Sequence, residues 1–155
     1  MDIPTRQSAV ALAAAGAALL AGCVAPTPEI TVVDDAGTRL FLAPSPWEQR
    51  EGESSGLLTG TLEVSEGGCL VVDDGAVGVP DHTSLPLAFP SGSTLVRESD
   101  RVSGVRTPDG ATVLLGDSRG WTGGRVLVDD LDRDARDALT QCTTEQAVFV
   151  PLAEG

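Results

Sequence analysis

The sequence predicts an all-β protein, either a small barrel or a sandwich of five to seven strands, accompanied by one helix. Three observations lead to this fold class. The chain has 155 residues, which allows one modest globular domain. Its 18 Gly and 10 Pro favour short elements and many turns over a bundle of long helices. Its hydrophobic content of 41% is too high for a chain that is disordered throughout.

The first 22 residues have the pattern of a signal peptide. One positive side chain, Arg6, precedes a run of small and apolar residues over positions 8–20. This run is shorter than the roughly 20 residues that a transmembrane helix needs, and Ala dominates it. We therefore expect a segment that is cleaved after export, in preference to a permanent membrane span.

The apolar run ends in Leu20-Ala21-Gly22-Cys23, which resembles the lipobox of bacterial lipoproteins. In that family the thiol receives a diacylglyceryl group, the chain is cut just before it, and the new amino group is often acylated. The resemblance implies an extracytoplasmic protein that is anchored to the outer leaflet of the cell membrane through acyl chains, such as palmitate, on Cys23. Two or three such chains anchor stably where one does not. The alternative is an ordinary secretory signal followed by an unrelated Cys.

Residues 23–56 are predicted to comprise the lipidated Cys, a tether, a small hairpin and a linker. Pro26 and Pro28 mark the tether at 24–29. An Asp/Gly turn at 34–37 separates the two short strands of the hairpin, 30–33 and 38–42. The linker, 44–56, is rich in Pro, Ser, Gly and Glu. The sequence leaves open whether the hairpin joins the domain that follows.

Residues 57–155 are predicted to form the β-rich globular domain. Pro86 indicates that the strand containing it lies at a sheet edge. Residues 116–124 are interpreted as a turn from which Trp121 packs on the sheet. The candidate segments for its strands are 57–64, 69–72, 85–89, 94–97, 102–107, 112–115, 125–128 and 147–152.

One helix is predicted over about residues 130–141. Asp129 or Asp130 is the expected N-cap, and Asp132 and Asp134 suit the positive end of the helix dipole. The apolar residues that fall on one face at helical spacing are Leu131, Ala135, Ala138, Leu139 and Cys142.

The other two cysteines, Cys69 and Cys142, are predicted to form a disulfide. Cys69 lies in a strand, and Cys142 lies on the helix face that must pack against the sheet. An oxidising compartment outside the membrane would favour the bond. The alternatives are two buried free thiols or a catalytic thiol. A thiol nucleophile usually needs a His base, and the sole His, His82, lies in a polar turn.

The order of motifs in the domain resembles a group of small, uncharacterised lipoproteins of high-GC Gram-positive bacteria. The likeness covers about residues 60–152. It implies a compact β-barrel-like domain, with an OB-like barrel as one form, and no known activity. The motifs that carry it are Gly68-Cys69-Leu70, Phe89-Pro90-Ser91-Gly92, Gly116-Asp117, Gly123-Gly124 and Cys142.

Composition excludes several function classes. All ten basic residues are Arg, so chemistry that needs a Lys, such as a Schiff base or a P-loop, is absent. A net charge of −13 would repel nucleic-acid backbones, and we expect no nucleic-acid partner. No cofactor is predicted.

Two patterns imitate functional sites, and we interpret both as structural. The block Gly116-Asp117-Ser118 looks like that of the GDSL hydrolases, but no His follows Ser118. Asp130, Asp132 and Asp134 imitate the first ligands of a calcium loop, but its Gly and its final Glu are missing. We therefore predict no metal site, with weak calcium binding left open.

These observations favour a non-catalytic binding or accessory module of the cell envelope. Its partner would be an envelope protein, a polymer or a small ligand. The alternative is a carboxylate-based hydrolase acting on cell-wall sugars, which would need two carboxyl groups placed together in a cleft.

Overall fold

The computed structural model describes residues 29–44, 55–75 and 84–152. These residues form eleven strands and one α-helix, so the all-β prediction with one helix is confirmed. The helix is α1 (Arg133–Cys142), and a 3-10 turn, Val128–Asp130, precedes it. The strands are β1 (Thr31–Asp35), β2 (Thr38–Ala43), β3 (Gly56–Val64), β4 (Leu70–Asp73), β5 (Ser84–Pro86), β6 (Ala88–Pro90), β7 (Thr94–Glu98), β8 (Arg101–Arg106), β9 (Thr112–Leu114), β10 (Ser118–Leu127) and β11 (Ala147–Pro151).

The strand count exceeds the expected five to seven, because all eight candidate segments of residues 57–155 contain strands. The segment at 85–89 divides at Leu87 into β5 and β6, which belong to different sheets, and the hairpin adds two further strands. The expected turn at 116–124 is also shorter than predicted. Residues from Ser118 onward pair with β3, and this pairing starts β10.

The largest sheet has the strand order β11-β10-β3-β4-β5, with antiparallel neighbours throughout. It curls into a half-barrel. Leu87, directly after the edge strand β5, bridges Phe149 of β11 at the opposite edge. Pro86 lies in that edge strand, as the sequence predicted. Gly60 permits a close strand approach, because a Cβ there would lie 2.2 Å from the backbone oxygen of Asp73.

The hairpin, whose place the sequence left open, belongs to the fold. β1 and β2 pair around a turn at Ala36 and Gly37, whose φ angles of 51° and 83° suit a tight hairpin. β2 then pairs in parallel with β6. Phe41 of β2 is completely buried. A third sheet, β7-β8-β9, contributes Val105 and Val113 to the interior.

Two hydrophobic clusters share three strands. β2, β4 and β11 are buried on both faces, because alternate residues point into different clusters. This arrangement explains why their sequences are continuous apolar runs and not polar/apolar alternations. The inner cluster lies within the curled sheet and includes Leu40, Leu62, Leu70, Val72, Phe89, Trp121 and Phe149. The outer cluster lies beneath α1 and includes Phe41, Cys69, Val71, Leu139, Cys142 and Val148.

The helix buries the predicted apolar face but begins later than expected. Asp132 is the N-cap, and its Oδ1 accepts a 2.8 Å hydrogen bond from the backbone N–H of Ala135. Asp129 and Asp130, the expected caps, lie instead in the 3-10 turn. Leu131 separates the two elements because its backbone is extended.

Candidate functional site

A groove with a volume of about 630 Å³ lies at the carboxyl ends of three strands. β2 runs parallel to β6, and the bridge between Leu87 and Phe149 is also parallel. The ends of β2, β6 and β11 therefore lie on the same side of the fold and line the groove together. Part of β10 and the turn between β8 and β9 complete its lining. A volume of this size is typical of small-molecule sites.

Proline residues stand at each of these strand ends. Pro44 follows β2, Pro90 ends β6, Pro151 ends β11, and Pro108 lies in the β8–β9 turn. Proline has a fixed φ and no backbone N–H, so it cannot continue a ladder of hydrogen bonds. The rings therefore give the groove apolar walls on stiff backbone, and little order has to be gained when a ligand binds.

Trp121 and Arg119 form the groove wall on β10. The Arg119 guanidinium carbon lies 5.3 Å from the centre of the Trp121 ring, which is cation–π distance. Arg119 and Trp121 are two positions apart on one strand, so their side chains project from the same face of the sheet. Trp121 is 8% exposed and belongs to the inner cluster, whereas Arg119 is exposed. The ring thus supports a cation at the groove surface.

Asp109 is the carboxylate in the groove lining among the described residues. Its Oδ1 accepts hydrogen bonds from the hydroxyl of Thr107 and from the backbone N–H of Ala111 at 3.1 Å. The bond from Thr107, followed by that from Ala111, lowers the pKa of Asp109 below its ordinary value. The carboxylate is therefore ionised at neutral pH. A glycosidase needs two carboxyl groups, and the described part of this lining contains no second carboxyl group beside Asp109.

Cys69 and Cys142, the predicted pair, are brought together. Their Cα atoms are 5.5 Å apart, within the range of a disulfide, and the pair spans 73 residues of sequence. Cys69 comes just before β4, and Cys142 is the last residue of α1. Gly67 permits the close approach of the two elements, because a Cβ there would lie 2.4 Å from the backbone oxygen of Gln141.

Arg39 connects the hairpin to this cysteine pair. Its guanidinium donates to the carbonyl of Gly67 at 3.2 Å and to Oε1 of Gln141 at 2.7 Å. It also lies 3.6 Å from Sγ of Cys142 and 3.4 Å from a carboxylate oxygen of Asp34. One side chain therefore links the hairpin, the turn before β4 and the end of α1, and the cysteines join the last two of these.

The remaining sequence-predicted candidates have different outcomes. Cys23 and His82 lie outside the described residues. Ser118 begins β10, and its hydroxyl shares a hydrogen bond with that of Thr61. Asp132 uses its carboxylate as the helix cap. Within residues 29–44, 55–75 and 84–152, no three His, Cys, Asp or Glu side chains are grouped for a metal, and no helix is long and apolar enough to cross a bilayer.

Sequence reasoning missed the groove. In the sequence, Pro108-Asp109-Gly110 predicts only a turn between two strands, and nothing singles out Arg119 as a binding residue. The one local signal of the groove in the sequence is the spacing Arg119-x-Trp121, which puts a cation and an aromatic ring on the same face of a strand. No protein family, curated protein or solved structure matches this chain.

Proposed function

We propose that this protein is a membrane-anchored extracytoplasmic lipoprotein that acts as a non-catalytic binding module of the cell envelope. The observation that carries the binding part is the preformed groove, with its proline walls and its cation on an aromatic ring. Apolar lining with a few placed polar groups is the general character of ligand sites. The groove is therefore the ligand site of the proposed module.

The anchor rests on the lipobox-like residues that end at Cys23. Six residues, 24–29, separate Cys23 from Ile30, where the fold begins. Even fully extended, they would span only about 20 Å. Thr31 pairs with Leu42, next to Ala43 and Pro44 of the groove lining, so the groove of an anchored protein would remain close to the membrane surface.

The anchor is tested by fractionating cells that express the wild type or Cys23→Ala. We expect the variant to be released from the membrane or to accumulate as an uncleaved precursor, because the acyl acceptor is gone. Gly22→Ala, which keeps a small residue before the Cys, is the matched control and should fractionate like the wild type. Normal cleavage and unchanged membrane association of Cys23→Ala would refute the anchor.

The binding site is tested with the neutral apolar dye N-phenyl-1-naphthylamine. We expect saturable binding to the purified exported protein and its loss in Leu152→Glu, which puts a charge into the groove wall. Leu127→Glu is the control, because Leu127 is 56% exposed and is not part of the groove lining. Circular dichroism checks that both variants fold.

Two results would contradict the binding module. One is the absence of saturable dye binding, or an equal loss in both Leu variants. The other is hydrolysis of cell-wall material that Asp109→Asn abolishes, which would establish the carboxylate hydrolase instead.

A further inference from the structure

The groove contains two opposite charges whose hydrogen-bonding states differ. Asp109 accepts hydrogen bonds within its own turn, from Thr107 and Ala111. Arg119 contacts the ring of Trp121, and its guanidinium has no hydrogen-bond acceptor or carboxylate partner among the described residues. A guanidinium carries five N–H donors in a planar fork that matches a carboxylate. Among the described residues, the polar groups of the groove surface that still lack a partner are therefore mainly the N–H donors of Arg119.

The protein contains many carboxylates with which Arg119 could have paired. The chain has 23 acidic and 10 basic residues, and both Arg39 and Arg97 pair with carboxylates of the hairpin. The net charge repels anions only at long range, since salt screens such forces over about 8 Å under physiological conditions. At contact distance, the local cation decides which ligand is held.

We propose that the groove selects a ligand with one carboxylate at the end of an apolar chain, of the fatty-acid type, and that Arg119 binds this carboxylate. The apolar chain would lie against the proline rings and Phe89, and the carboxylate would meet the guanidinium that Trp121 keeps in place. This inference rests on the proposed binding function and adds the ligand class to it. The ligand is inferred to be a free amphiphile, because the described residues of the groove provide apolar walls and one cation, Arg119, that none of them pairs.

The test compares three soluble amphiphiles with the same chain and different head groups: decanoate, decanol and decylammonium. Binding is followed by the fluorescence of Trp121 in the Trp47→Phe variant, which leaves one Trp in the chain. We expect decanoate to bind roughly tenfold more tightly than decanol, the range for a charge-assisted contact, and decylammonium to bind most weakly.

Variants of Arg119 identify the residue that reads the head group. Arg119→Gln should abolish the preference for decanoate, so that decanoate and decanol bind with similar affinity. Arg119→Lys should keep part of the preference, because Lys retains the charge without the planar fork. Arg125→Gln is the matched control, since Arg125 is exposed on the same strand and lies outside the groove lining.

The outcomes separate this inference from the binding function beneath it. Equal affinities of decanoate and decanol, or an unchanged preference in Arg119→Gln, would overturn the ligand class while saturable decanol binding still supports the module. Tightest binding of decylammonium would assign the selection to Asp109 and also overturn it. Failure of decanol and of the neutral dye alike would contradict the binding function itself.

Discussion

The face beneath α1 and the groove begin from the same strands but are completed in opposite ways. β2 and β11 contribute residues to the cluster under the helix, and their carboxyl ends line the groove. The face beneath α1, called the covered face below, is held by contacts between residues distant in sequence. These are the Cys69–Cys142 pair and the hydrogen bonds of Arg39. The groove instead remains open, and prolines in its own lining stiffen it.

Stability and binding should therefore depend on different parts of the molecule. A bond between Cys69 and Cys142 restricts the unfolded chain, and the hydrogen bonds of Arg39 hold the folded state together. The loss of either should therefore affect stability above all. Groove residues such as Arg119 are exposed, and exposed substitutions usually change stability little. Changes on the two sides should therefore be separable by comparing unfolding with dye binding.

The largest effect is expected from the cysteine pair. Replacing both Cys69 and Cys142 by Ala should lower the free energy of unfolding by about 4 kcal/mol, because a bond that closes a loop of 73 residues removes much freedom from the unfolded chain. Urea denaturation of the wild type and the variant measures the difference. Dye affinity should not change under conditions in which the variant is folded.

The bond itself is checked by mass spectrometry of a non-reduced digest, which should contain the peptides of Cys69 and Cys142 joined together. The wild type treated with a reductant is the control and should approach the stability of the double variant. Finding both thiols freely alkylated in the exported protein would disprove the bond.

A smaller effect on stability is expected at the N-terminus of α1, which belongs to the covered face. Asp132→Ala should destabilise the protein by about 1 kcal/mol, because the N–H of Ala135 loses its acceptor. Asp134→Ala, in the first turn, is the control and should cost only a few tenths of a kcal/mol through the helix dipole. Equal losses in the two variants, measured by urea denaturation, would argue against the cap.

The covered face was largely predictable because its signals are local. The spacing of Ala135, Leu139 and Cys142 predicts a helix face, and a helix face must pack on a sheet, which brings Cys142 toward Cys69. The N-cap was predicted wrongly because several Asp residues precede the helix and each could cap it. Only the extended backbone at Leu131 decides that Asp132 does.

The groove could not be predicted because it is assembled from segments far apart in the chain. Pro44, Pro90 and Pro151 become neighbours only through the parallel pairing of β2 with β6 and the bridge from Leu87 to β11. No periodicity specifies that pairing. Each proline by itself predicts merely the end of a strand.

The smallest effect is expected at the groove, in the pH dependence contributed by Asp109. Hydrogen bonds from Thr107, and then from Ala111, lower the pKa of this carboxyl, so its ionised form stabilises the folded state at neutral pH. That stabilisation is lost as the pH falls through the folded-state pKa, which is below the ordinary 3.8. Asp109→Asn should therefore be less stable than Asp100→Asn, a control in the exposed β7–β8 turn that also removes one negative charge.

Urea denaturation from pH 7 to pH 3 measures this difference in stability between the two variants. It should be present at neutral pH and should narrow below about pH 4. A gap of the same size at pH 7 and at pH 3 would contradict the role of the carboxylate.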